Sequence, residues 1–297
     1  MKIAILGAGA VGCYYGALLA LASHEVVLIG RAPHVEAIHQ HGLLLERDGD
    51  IQPVALQASC SPAALSGADL VLCCVKSPDT AEAASAMAPH LAVGARVLSL
   101  QNGIDNAATL QNRLSHQVAA AVVYTAVGMA GPGHVTHRGG GELVLAADAL
   151  DETSFSAFQA AGIPLRLSTN MAGELWLKLI LNCTWNALSA ISQMSYGKLW
   201  PADGVQVMMR SVVDECLAVA AAEGIQLADE IWPAIERIAH TMPDQTSSTA
   251  QDLARQRPTE IDHLNGAILR RAAAHGIDVP ANRMLHMRVR QLEKRSG

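Results

Sequence analysis

Short apolar runs alternate with helix-like stretches through the first half of the chain, and glycines and polar turns separate them. KIAILGAGAVG (2–12) reads as a buried strand, a glycine turn and a helix start, and the helix continues through CYYGALLALA (13–22). HEVVLIGR (24–31) is a second strand, and ADLVLCCVK (68–76) is another, followed by the alanine-rich helix TAEAASAMAPHL (80–91). ARVLSLQNG (95–103), AAAVVYTAVG (119–128) and GELVLAA (141–147) are further strands. Strand, helix and strand at this spacing predict a parallel sheet with crossover helices. Such a sheet is covered on both faces, which accounts for strands that are apolar throughout.

The pattern changes after GIPLRLST (162–169). Helical periodicity then predicts helices over 171–190, 203–223, 228–241, 246–254 and 259–275, punctuated by Pro201, Gly224 and Pro280. MPDQTSSTAQD (242–252) reads as a loop and a hydroxyl-rich helix cap. The expected fold is therefore α/β: an N-terminal parallel-sheet domain over 1–167 and an all-helical C-terminal domain over 168–297.

One predicted helix is unusual. ELWLKLILNCTWNALSA (174–190) is largely apolar, yet Glu174, Lys178, Asn182 and Asn186 recur every four residues. That interval is close to one helical turn, so the four side chains form a slowly drifting row on one face. Asparagines on an apolar helix can simply bond a neighbouring helix, and a lysine can reach the surface. Spacing alone does not separate this structural reading from a catalytic one.

Composition narrows the possibilities. Of 297 residues, 51% are hydrophobic and 16% charged, which excludes a disordered chain and permits a large core. The net charge is -6 with both signs scattered, so neither nucleic acid nor an anionic membrane is an expected partner. Six cysteines without a CxxC or CxxH pair read as buried reduced thiols of a cytoplasmic protein, and no metal site is expected. His134 and His137 fall in a glycine-rich, strand-like stretch, where a solvated turn is the preferred reading. Glycines break the N-terminal apolar run, which does not suit a targeting segment, and no uninterrupted transmembrane-length run occurs.

Gly7, Gly9 and Gly12 form G-x-G-x-x-G directly between a strand and a helix, with Ala8, Ala10 and Val11 completing the loop. In that context the glycines permit a tight turn, approach of a pyrophosphate, and close helix–strand packing. The helix N-terminus offers free N–H groups to the phosphates. The second strand ends in Gly30 and Arg31, where an NAD site usually has a carboxylate. A carboxylate would repel a 2′-phosphate and arginine can bind one, so the expected cofactor is NADP. Lys76 ends another strand, at the sheet edge where open α/β folds bind ligands.

Taken together, GAGAVG (7–12), VK (75–76), QNG (101–103), the 174–190 helix and RPTEIDHLNGAILRRAAAHGIDVPAN (257–282) resemble the ketopantoate reductase (2-dehydropantoate 2-reductase) family along essentially the whole chain. The resemblance implies a Rossmann domain followed by a helical domain, with the active site in the cleft between them. It implies NADPH-dependent reduction of ketopantoate to pantoate, on the way to pantothenate and coenzyme A. It also implies Lys178 as the proton donor, Asn182 and Asn186 as substrate-binding amides, and Glu260 as the partner of the substrate hydroxyl. Ser248 is implied as the carboxylate contact, although Ser247 and Thr249 are adjacent. Asn102 is implied beside the nicotinamide, and Arg31 and Lys76 at the cofactor phosphates. Glu260 also has a structural reading, since Thr259 or Glu260 can cap a helix. Two other functions are open: a reductase of the same fold acting on another 2-oxo acid, and a non-catalytic NADP-sensing protein. The substrate is in each enzymatic case a small molecule, and a helical second domain leaves a homodimer open.

Overall fold

The computed structural model describes residues 1–228 and 230–295. Residue 229 of the expected helix over 228–241, and the last two residues of the expected second domain, lie outside that range. The chain divides into two compact units, Met1–Met171 and Ala172–Gly297.

The first unit contains, in order, β1 (Lys2–Leu6), α1 (Ala10–Leu21), β2 (Glu25–Ile29), α2 (Ala32–His41), β3 (Leu43–Arg47), β4 (Asp50–Val54) and β5 (Gln57–Ser59). It continues with β6 (Leu70–Cys73), α3 (Thr80–Met87), β7 (Arg96–Ser99), α4 (Asn106–Gln111), β8 (Val118–Gly131), β9 (His134–Ala146), α5 (Glu152–Ala160) and β10 (Leu165–Ser168). The strands lie in the order β4-β3-β9-β8-β7-β6-β1-β2-β5, with β10 beside β9. From β8 to β5 every pairing is parallel. Alternate residues of β1 enter two different cores: Ile3 and Ile5 pack with α1, and Ala4 and Leu6 pack with residues of α3 and α4. Both faces of the parallel sheet are thus covered, as its apolar strands require.

Part of the sheet departs from the expected parallel arrangement. β8 and β9 form a long antiparallel hairpin with register shifts, and β3 and β4 pair antiparallel at the far edge. The hairpin turns through Pro132 and Gly133, and a two-residue connection cannot return a strand in parallel. His134 and His137 lie on β9 and not in a solvated turn. His134 is 2.9 Å from Glu46, and the ring of His137 stacks on Tyr14 with centroids 4.6 Å apart.

The second unit is helical: α6 (Met171–Ser192), α7 (Tyr196–Leu199), α8 (Val205–Ala222), α9 (Ile231–Thr241), α10 (Ser248–Ala254), α11 (Asn265–His275) and α12 (Pro280–Arg295). The stretch 259–275 is not one helix: a 3₁₀ turn, Ile261–His263, is separated from α11 by Leu264, whose backbone is non-helical. Helix α12 was not among the expected elements. Its Pro280 stands at the first helical position, where a missing N–H costs nothing. Trp185 is fully buried and donates from Nε1 to the carbonyl of Ile235 at 3.2 Å, tying α6 to α9. No described helix is long and apolar enough to cross a membrane.

Candidate active site

In the first unit the candidate residues follow four neighbouring parallel strands at their C-terminal ends. Asn102 lies past β7, Lys76 past β6, the Gly7–Gly12 loop past β1, and Arg31 past β2. The connection order reverses beside β1, which is where open α/β sheets form a ligand crevice. Gly7 has φ +114°, and a Cβ there would lie 2.6 Å from the Cys74 carbonyl carbon, so the turn admits only glycine. A Cβ on Gly12 would collide with the Gly7 carbonyl oxygen, whereas one on Gly9 would meet nothing within 4 Å. Gly9 is the N-cap of α1 and supplies no side-chain cap. The first helical turn therefore presents backbone N–H groups and a partial positive charge beside open space, a cradle that could hold a pyrophosphate.

The strand end after β2 has a steric constraint. A Cβ on Gly30 would sit 2.5 Å from the Cβ of Ala8, so the glycine loop itself excludes a carboxylate at position 30. Arg31 follows as the exposed N-cap residue of α2.

A buried polar network, absent from the sequence reading, holds the loops that carry Lys76 and Asn102. The Gln101 amide donates to the Val75 carbonyl at 3.0 Å and to Thr80 Oγ1 at 2.7 Å. Thr80 Oγ1 is 2.9 Å from Asn106 Oδ1. Ser77 Oγ and Asn106 Nδ2 both donate to the Asn102 carbonyl, at 2.8 and 2.5 Å. The available signal was the polar clustering of SPDT and QNGIDN immediately after apolar strands.

In the second unit, Glu174, Lys178, Asn182 and Asn186 all lie on α6, as the spacing requires. Each step of four residues drifts by about 40° around the helix. Around them Trp176, Leu179, Ile180, Cys183 and Trp185 are buried. Lys178 is half-buried, and desolvation lowers its pKa to about 8. Asn182 and Asn186 are only 8% and 5% exposed, and the Asn182 Nδ2 is buried with no hydrogen-bond partner. Leaving a buried N–H unsatisfied costs roughly 1–3 kcal/mol.

Two other segments converge on this stretch of α6. Ser247 Oγ donates to the Asn186 carbonyl at 3.2 Å and accepts the Ala250 N–H at 3.0 Å, which fixes the start of α10. Ser247 and Thr249 are buried, and Ser248 is the exposed hydroxyl of the three. Asn265 Nδ2 donates to the Cys183 carbonyl at 3.2 Å and to Asn282 Oδ1 at 2.9 Å, joining α11 and α12 to α6 beside Asn182. Glu260 precedes that junction. Thr259 Oγ1 accepts the Ile261 N–H at 3.3 Å, and the Glu260 side chain makes no capping bond. Together the second unit offers an acid, two amides, a hydroxyl and a carboxylate on three connected segments, a set suited to a small polar carbonyl compound.

The first unit thus carries a glycine loop suited to a pyrophosphate, and the second carries an amine and two amides along one helix. Comparison with known proteins is specific. Residues 3–149 match the family described as ketopantoate reductase PanE/ApbA, and residues 170–293 match its C-terminal domain. The chain belongs to the ketopantoate reductase family and is an oxidoreductase. It is 32% identical over 305 residues to the 2-dehydropantoate 2-reductase of Halobacterium salinarum, covering all of both chains. The 2-dehydropantoate 2-reductase of Pyrococcus horikoshii is also 32% identical, covering 100% of this chain and 99% of its own. The crystal structure of a PanE/ApbA family ketopantoate reductase from Ralstonia eutropha JMP134 superposes with TM-score 0.96 at 58% identity, over 100% of this chain and 99% of that one. A ternary structure of D-mandelate dehydrogenase with NADH and anilino(oxo)acetate superposes with TM-score 0.92 at 28% identity, with the same coverage.

Proposed function

We propose that the chain reduces 2-dehydropantoate to pantoate with NADPH, in the cytoplasm, on the route to pantothenate and coenzyme A. The observation that carries this reading is the row on α6. It combines an amine whose pKa is lowered to about 8, a buried amide nitrogen without a partner one turn on, and a second buried amide one turn further.

The hydride for the ketone carbon is the chemistry that the nicotinamide supplies when bound. Lys178 gives an Nζ proton to the ketone oxygen, and its charge stabilises the oxyanion as it develops. Asn182 and Asn186 donate amide N–H bonds to the substrate, and these fix the carbonyl for attack. Ser248 holds the substrate carboxylate, and Glu260 accepts a hydrogen bond from the substrate hydroxyl. The Gly7, Ala8, Gly9, Ala10, Val11 and Gly12 loop holds the pyrophosphate, Lys76 and Arg31 hold phosphates, and Asn102 stands by the nicotinamide.

The absence of a side chain at Gly30, where a Cβ would meet Ala8, leaves no acid at that position, and the exposed Arg31 beside it supports NADP. Arg31→Ala is expected to raise the KM for NADPH by roughly ten- to a hundredfold, the equivalent of one charge-assisted bond, and to change the KM for NADH little. An unchanged preference between the two cofactors removes Arg31 from the phosphate site.

The full-length similarity to D-mandelate dehydrogenase favours one second reading, a reductase of a 2-oxo acid with an aromatic side chain. Initial rates with ketopantoate, benzoylformate and other 2-oxo acids, each with NADPH and NADH, separate the two. The highest kcat/KM is expected for ketopantoate with NADPH. Preference for benzoylformate transfers the function to the second reading. Tight NADPH binding without turnover of any 2-oxo acid would indicate a cofactor sensor.

A further inference from the structure

The short segment that carries Glu260 is pinned on both sides by a single helix. On one side, the backbone N–H and the hydroxyl of Thr259 both donate to Glu293 Oε1, at 2.8 and 2.6 Å. On the other, His286 Nε2 lies 2.6 Å from Asp262 Oδ1, and Arg290 Nη1 lies 3.6 Å from Asp262 Oδ2. His286, Arg290 and Glu293 are spaced four and three residues apart on α12, so they form one stripe along it. Arg290 Nη1 also donates to Glu293 Oε2 at 2.6 Å, linking the two halves of the stripe.

The contacts are not of equal weight. Arg290 and Asp262 are each nearly half-exposed, and an ion pair of that kind contributes little. The Glu293 side chain is only 12% exposed, and one of its oxygens accepts two bonds. Glu293 also sits in the last turn of α12, where the helix dipole disfavours a negative charge. Helix stability does not account for a carboxylate there, whereas its bonds to Thr259 do. Helix α12 is anchored independently by Leu285 and Val289, which are buried in the core.

We infer that Glu293 is a positioning residue for the reaction: through Thr259 it fixes the turn that presents Glu260 to the substrate. The inference rests on the reading of Glu260 as the partner of the substrate hydroxyl. Thr259 and Asp262 of the TEID motif then have a purpose distinct from that of Glu260, since they bind the turn to α12 at the residue before it and the second residue after it.

The test is a double-mutant cycle on the full chain, with Glu260→Ala, Glu293→Ala and the combined variant. Ketopantoate kinetics, NADPH KM and thermal unfolding are measured on each. Glu293→Ala is expected to lower kcat/KM for ketopantoate by roughly ten- to a hundredfold, the value of a hydrogen bond to a charged group, and to leave the NADPH KM unchanged. Adding it to Glu260→Ala should then cost little more, because both act through the same contact. Glu293→Gln keeps the Oε1 acceptor and is expected to restore most of the activity. If Glu293→Ala does not fold, Thr259→Val takes its place in the cycle. Wild-type kcat/KM in the Glu293 variant, or full additivity with Glu260→Ala, overturns the positioning role. Wild-type kinetics in Glu260→Ala alone would instead defeat the reading of Glu260, and the inference with it.

Discussion

Lys178→Ala is expected to lower kcat for ketopantoate reduction by about a hundred- to ten-thousandfold, the usual contribution of a positioned general acid. NADPH affinity should stay near wild type, because the residues assigned to the cofactor belong to the other unit. The pH dependence follows from the same group. The protonated amine is the active form in reduction, so wild-type kcat should fall as pH rises through about 8. The effect on stability has the opposite slope. The folded chain releases this proton near pH 8 and the unfolded chain near 10.5, so between those values the unfolded state binds more protons. Stability then rises with pH across that window, and the full cost of the charged, desolvated amine is present below it. Lys178→Met should therefore raise the Tm at pH 7 while abolishing turnover, a trade of stability for activity at a functional site. A variant that keeps most of its kcat would leave the α6 row with a structural role only.

Asn182→Leu is expected to separate function from stability in the same way. The two side chains have the same heavy-atom branching, although leucine is larger, and the substitution removes a buried amide nitrogen that has no partner. The gain should be about 1–3 kcal/mol of stability, visible as a higher midpoint in thermal or urea unfolding. Loss of the bond to the substrate should raise the KM for ketopantoate by roughly ten- to a hundredfold. Destabilisation with unchanged kinetics would show instead that Asn182 joins helices.

The placement of the four polar residues on one helix was legible because they interrupt a strong apolar periodicity at a constant interval, and that of the glycine loop because it falls between a strand and a helix. Other parts were hidden for identifiable reasons. Helix α12 has a buried stripe at Ala281, Leu285 and Val289, but Pro280 read as a terminator, although proline at the first helical position starts a helix. Missing α12 also hid the contacts of His286, Arg290 and Glu293 to the Glu260 segment. The break at Leu264 escaped because the helical spacing of apolar residues continues across it, while tertiary bonds from Thr259 and Asn265 decide the backbone. The antiparallel β8–β9 hairpin had a readable turn in AGPGH, but alternating strands and helices before it favoured a parallel continuation. Among Ser247, Ser248 and Thr249, burial distinguishes the exposed hydroxyl from two that sequence treats alike.

In the proposed reaction the ketone carbon of ketopantoate receives a hydride and its oxygen receives a proton. The most direct measurement is mass analysis of the product formed from ketopantoate and NADPH deuterated at the transferable position of the nicotinamide. The expected product is pantoate carrying one deuterium on the former ketone carbon, with Lys178→Ala producing the same labelled product far more slowly. Oxidation of NADPH without labelled pantoate, or no reaction with ketopantoate while another 2-oxo acid takes up the label, would contradict it.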